Sequence, residues 1–135
     1  MNDAKSRKKR LERILKVQGQ KRQIEEWALT QLKRKRAEID RSDSEILQSL
    51  APSSELHGLF IGAKVNSLRR NDAARRENEA ERAKGEVRLA EARRQEKGVE
   101  RRLTQAGKDA AAQDEAIALD GHVESFLARL SNSLG

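Results

Sequence analysis

The stretch Ile46-Leu47-Gln48-Ser49-Leu50-Ala51-Pro52-Ser53-Ser54-Glu55-Leu56 decides the fold. It holds the one proline of the chain. Proline lacks an N–H and its ring clashes with the preceding turn, so a helix stops here. A following serine caps a new helix, and Glu55 suits that helix's first turn. Upstream, Leu11, Ile14, Val17, Ile24, Ala28, Leu32, Ile39, Ile46 and Leu50 recur at mostly helical spacings, with Gly19 the only glycine. The step from 28 to 32, followed by 39 and 46, predicts a heptad seam with one phase shift. Downstream, a second helical pattern runs from Ser54 to Leu130. A connection this short joins antiparallel neighbours. The expected architecture is all-α: a long antiparallel two-helix coiled-coil hairpin with a C-terminal helical extension. Its parts are a first helix over 1–50, a turn at 51–54, a return helix over 55–101 and an extension over 102–135.

A turn centred at 52–53 fixes a register in which facing residue numbers sum to about 105. Leu50 then meets Leu56, Ile46 meets Leu59 and Phe60, Leu32 meets Ala73 and Ala74, Ile24 meets Ala80, and Val17 meets Val87. Large side chains opposite alanines let two helix axes approach closely. In this register everything from Arg101 onward lies beyond the partner helix, an overhang of roughly 50 Å if helical. Yet it carries Leu103, Ala106, Ala110, Ile117, Val123, Phe126, Leu127, Leu130 and Leu134. Such a stripe must fold back at Gly98, Gly107 or Gly121, oligomerise, or bind another protein.

Composition agrees with long helices. Ala, Glu, Lys, Leu and Arg supply 77 of the 135 residues. Leu, Ile, Val and Phe number only 28, too few for a compact globule and enough for a narrow seam. There is no cysteine, which excludes disulfides and thiolate chemistry and suggests a reducing compartment. Residues 1–10 are polar and basic with no apolar stretch behind them, unlike a secretory signal. The longest apolar run, Leu56 to Val65, is broken by His57, Gly58, Gly62 and Lys64, far short of a membrane span. A cytoplasmic protein is expected.

The net charge of +7 is lopsided: residues 1–52 hold 14 basic and 8 acidic side chains, residues 53–135 hold 15 and 14. The clusters Lys5–Arg10 and Lys33–Arg36 would give sequence-independent affinity for phosphates. Against this, acidic residues are interspersed and stacking aromatics are almost absent. His57 and His122 are far apart, and no cluster has metal-ligand spacing. No catalytic residue, cofactor or metal is expected, because two paired helices offer no pocket to desolvate a nucleophile and its base. Trp27 either packs on the second helix near Glu77, Asn78 and Glu79 or anchors a contact.

The opening Arg10-Leu11-x-Arg13-Ile14-Leu15-x-Val17, the later Glu96-Lys97-x-Val99-Glu100-Arg101-Arg102-Leu103, and Gln113-Asp114-Glu115-Ala116 resemble the FliJ/YscO family. These are stalk proteins of flagellar and type III secretion export, similar to the gamma central stalk of rotary ATPases. The resemblance implies a non-enzymatic, cytoplasmic coupling protein peripherally associated with a membrane-bound export apparatus. Its partners would be a hexameric export ATPase, an export gate protein and export chaperones. On this chain the gate-facing tip would be Leu47, Leu50, Leu56, Leu59 and Phe60. The ATPase-facing base would be Arg7, Arg10, Leu103, Ile117, Val123, Leu127 and Leu130. Two other classes remain: a basic hairpin that binds nucleic acid or ribosomes, and a structural coiled-coil homodimer.

Overall fold

The structure, a computed structural model, describes residues 3–50 and 57–134, with side chains for 3–50 and 60–134. It is all-helical, two helices packed against each other. Helix α1 spans Asp3–Ser49 and α2 spans His57–Leu134. The expected turn at 51–54 and Leu56 lie outside the described residues, as does the side chain of Leu59. Asp3 sits in the first turn of α1, where a carboxylate complements the helix dipole. At its other end the Leu50 amide donates to the carbonyls of Ile46 and Leu47, both at 3.2 Å, and the Ser49 hydroxyl donates to Ile46. These bonds satisfy carbonyls that the next turn would otherwise have taken.

The chain divides into two compact units, Lys21–Arg93 and Met1–Gln20 with Arg94–Gly135. In the first, Glu25 pairs with Arg88, Glu26 with Arg93, Arg36 with Glu79 and Asp40 with Arg75. Asn71 donates to Asp43, Asn78 to the Leu32 carbonyl, and Lys64 to the Ser49 carbonyl. In the second, Arg7 pairs with Asp109 and Lys5 with Asp114. Within each unit partner numbers on α2 fall as those on α1 rise, and they sum to 110–119. The expected sum near 105 is therefore wrong. Pro52 marks where α1 must stop, but a helix stop does not by itself set which residues of the two helices face each other.

The covered residues correct the seam as well. In the Lys21–Arg93 unit they include Arg22, Glu25, Leu29, Leu32, Arg36, Ile39, Asp43, Ile46 and Leu50 of α1, with Glu26, Ala28, Gln31 and Ser42 half-covered beside them. Those of the other unit include Lys8, Leu11, Leu15 and Gln18. The series from Lys8 to Leu50 follows alternating steps of three and four with no phase shift. Ile14, Val17 and Ile24, taken as seam residues, are exposed. On α2 the same alternation runs through Asn71, Arg75, Asn78, Arg82, Gly85, Leu89 and Ala92 in one unit. In the other it runs through Glu96, Val99, Leu103, Ala106, Ala110 and Gln113.

Close approach is set by small residues. Gly85 is buried, and a Cβ there would lie 2.8 Å from Leu29 Cδ2, inside van der Waals contact. Glycine costs about 1 kcal/mol against alanine in a helix interior, and here it admits the Leu29 side chain. Ala106 is fully buried and Ala110 nearly so. The residues just past Arg101 are thus paired, contrary to the expected start of the overhang; full exposure begins at Asp114. α2 is unbroken to Leu134 and none of its described glycines has positive φ, which removes the expected fold-back at Gly98, Gly107 or Gly121.

This register is open to direct test, since the chain has no native cysteine. Leu29→Cys with Gly85→Cys should form a disulfide within one chain under mild oxidation. Leu32→Cys with Ala73→Cys should not. Crosslinking of the second pair in preference to the first would restore the shorter register.

Candidate interaction surfaces

Three groups of side chains are left uncovered by the pairing of α1 with α2. The first is in the Lys21–Arg93 unit near the connection. Leu47, Phe60 and Ile61 are exposed, while Leu50 is half-buried against the other helix. Beside them lies a hollow lined by Asp40, Asp43, Ser44, Leu47, Gln48 and Arg75. Its charges are organised rather than loose. Arg75 bonds Asp43, Asp40 and Asp72, and Asn71 donates to Asp43 at 2.7 Å. The hydrogen bond from Arg75 is the main reason the Asp43 carboxyl is held below the usual carboxylate range, and Asn71 adds to it. Asp43 in turn raises the pKa of Arg75.

The second group is the outer face of α1 in the same unit. Trp27 is 65% exposed and Ile24 63%. The expected packing of Trp27 on α2 does not occur. Around them Gln23, Thr30 and Gln31 carry no charge, in a chain where 38% of residues are charged. Depletion of charge around an exposed aromatic is how the centres of protein interfaces differ from other surface. Nearby, Arg22 holds the Glu26 carboxyl below its ordinary pKa, chiefly by hydrogen bonding, with Arg93 assisting. Of the Lys33–Arg36 cluster, Arg36 is half-buried and paired with Asp40 and Glu79, which leaves Lys33, Arg34 and Lys35 exposed.

The third group belongs to the other unit. Every described residue of α2 from Asp114 on is exposed, Asp114 itself still paired with Lys5. Ile117, Leu119, Val123, Phe126, Leu127, Leu130 and Leu134 are the large apolar ones. Ala116, Leu119, Val123, Phe126 and Leu130 keep steps of three and four. They are nevertheless not the continuation of the seam that faces α1. That seam, extended from Ala106, Ala110 and Gln113, would run on through Ile117, Asp120, Glu124 and Leu127, half acidic and half apolar. The apolar stripe lies one residue back, turned by about 100° around the helix. Leu103, expected at this surface, is instead half-buried in the seam. Arg7 and Arg10 flank a groove floored by Leu11 and Ile14 and closed by Arg102 and Gln105.

Sequence reasoning missed Leu29, Asn78 and Gly85. Asn78 is buried, donates to the Leu32 carbonyl at 2.9 Å and leaves its own Oδ1 without a partner. A buried amide that finds its partner in one register only disfavours slippage. The available signal was the heptad grid itself: Leu11, Leu15, Leu29, Leu32, Ile39, Ile46 and Leu50 all fall on it.

The Asp43–Arg75 contact predicts a pH response. A carboxyl whose pKa is depressed on folding contributes stability that is complete above its unfolded value of about 3.9 and lost as pH falls through the lower folded value. Thermal melts of the parent should therefore drop below about pH 4 by more than those of Asp43→Asn. Identical acid dependence in both proteins would remove Asp43 from the account.

No protein-family model matches the chain, and comparison with curated proteins and with solved structures gives no significant match.

Proposed function

We propose that this chain is a non-enzymatic coupling component of a flagellar or type III protein-export apparatus, built as an antiparallel two-helix coiled coil with a C-terminal helical extension. One observation carries the reading: α2 continues beyond its partner helix with a full apolar stripe, Leu119 to Leu134, facing no other part of the chain among the described residues. Complete cover of each large side chain is worth roughly 1.5–3 kcal/mol, so such a stripe is a surface for a partner. The likeness of residues 10–17, 96–103 and 113–116 to the FliJ/YscO family names that partner as a hexameric export ATPase. The exposed Leu47 and Phe60 supply a second contact, for a membrane export gate, and export chaperones are further partners in this scheme. Among the described residues no helix is long and apolar enough to cross a membrane, which suits peripheral, cytoplasmic attachment.

The stripe is tested by Phe126→Asp with Leu130→Asp in the full chain. Binding to a hexameric export ATPase from the same organism, and stimulation of that enzyme, should fall about tenfold or more. Replacing the exposed Lys33, Arg34 and Lys35 by glutamine should leave both intact. Unchanged binding and stimulation by the stripe variant would discard this orientation. Tight, steeply salt-dependent retention of RNA or DNA, lost with the three glutamines, would instead make the chain a nucleic-acid-binding basic hairpin.

A further inference from the structure

We propose that the segment 114–134 of one copy docks in the arginine-rimmed groove of a second copy, which returns the same contact, so that the free chain pairs through its own partner-binding stripe. That the stripe is also the partner-binding surface rests on the function proposed above; the pairing itself does not.

The groove specifies an occupant that is both acidic and apolar. Its floor is Leu11 and the exposed Ile14, and its rim is Arg7, Arg10 and Arg102. Arg7 is committed to Asp109. Arg10 and Arg102 have no hydrogen-bond or ion-pair partner among the described residues. The surrounding field has the same sign, since residues 3–16 hold seven basic and two acidic side chains.

The segment 114–134 has the opposite character. Glu115, Asp120 and Glu124, with Asp114 paired to Lys5 of its own chain, stand against Arg129 alone, beside the apolar stripe. It cannot enter its own groove, because α2 is one unbroken helix through Leu134 and leads away from Arg102. A second copy presents the same two surfaces in reciprocal positions, as a two-fold interface requires. The reach is sufficient. Residues 116–134 extend about 27 Å along the helix, whereas Ile14 lies roughly 16 Å in from the first turn of α1. Opposite charges at the rim fix orientation and register while the apolar stripe supplies buried area.

Sedimentation equilibrium of the full chain should show reversible conversion of the 15.2 kDa monomer to a species of twice that mass, weakened by added salt. Arg10→Glu with Arg102→Glu should raise the dissociation constant about tenfold or more, as should Asp120→Arg with Glu124→Arg. Mixing these two charge-reversed proteins should restore pairing, because each groove then meets a segment of opposite sign. Helical circular dichroism keeps any loss of pairing distinct from unfolding. A chain that stays monomeric up to about 0.1 mM overturns the proposal. So does a dimer indifferent to both reversals, one lost instead with Trp27→Ala, or a mixture that fails to recover pairing. No ATPase enters these measurements, so failure of the export reading leaves their outcome unaffected.

Discussion

Every contact between the two helices depends on a narrow seam along each. Two helices with few large apolar residues cannot enclose a core, so they bury a narrow face and expose the rest. Depth along that face comes from closeness rather than bulk. Leu29 occupies the space that Gly85 leaves, and Ala92, Ala106 and Ala110 are buried where larger residues would hold the backbones apart. Much of the remaining seam is polar. Gln18, Arg22, Glu25, Arg36, Asp43 and Asn78 interrupt it, and buried atoms of Gln18, Asn78 and Arg82 lack a partner. An unsatisfied buried polar atom costs roughly 1–3 kcal/mol, so the pairing gives up stability for a defined register.

The same polar residues explain what the sequence conceals. The two long helices, the end of α1 just before Pro52 and the all-helical class were legible, because a proline between two long stretches without another has one plain consequence. The face was not. Ile14, Val17 and Ile24 look like seam residues if apolar character is the criterion, whereas the structure turns them outward and covers Gln18, Arg22 and Glu25. Strict heptad spacing through Leu11, Leu15, Leu29 and Leu32 was the better guide. The register erred for a related reason. Helix-stopping chemistry locates the end of α1 and does not set which residues of the two helices face each other.

That error of about ten in the sum has consequences for the surfaces. Leu103, Ala106 and Ala110 move from an unpartnered extension into the seam, and the free stripe shrinks to the stretch after Gln113. What remains is sharper. The stripe Leu119, Val123, Phe126, Leu130 and Leu134 is offset around the helix from the α1-facing seam, whose own continuation is mixed: Ile117, Asp120, Glu124 and Leu127. Sequence alone showed apolar residues without a partner; only the geometry shows that they face a different direction from the seam, as a second binding surface does.

The central claim is that pairing of α1 with α2 ends near residue 113 and leaves the following segment bare. Amide hydrogen exchange of the full chain, at concentrations dilute enough to keep it monomeric, measures this directly. The account predicts strong protection for amides of 85–110, where the seam covers the helix, and a steep fall beyond Asp114, since an unpacked helix of about 20 residues is only marginally stable in water. Protection that ends near Arg101, or that continues undiminished to Leu130 in the monomer, would contradict it.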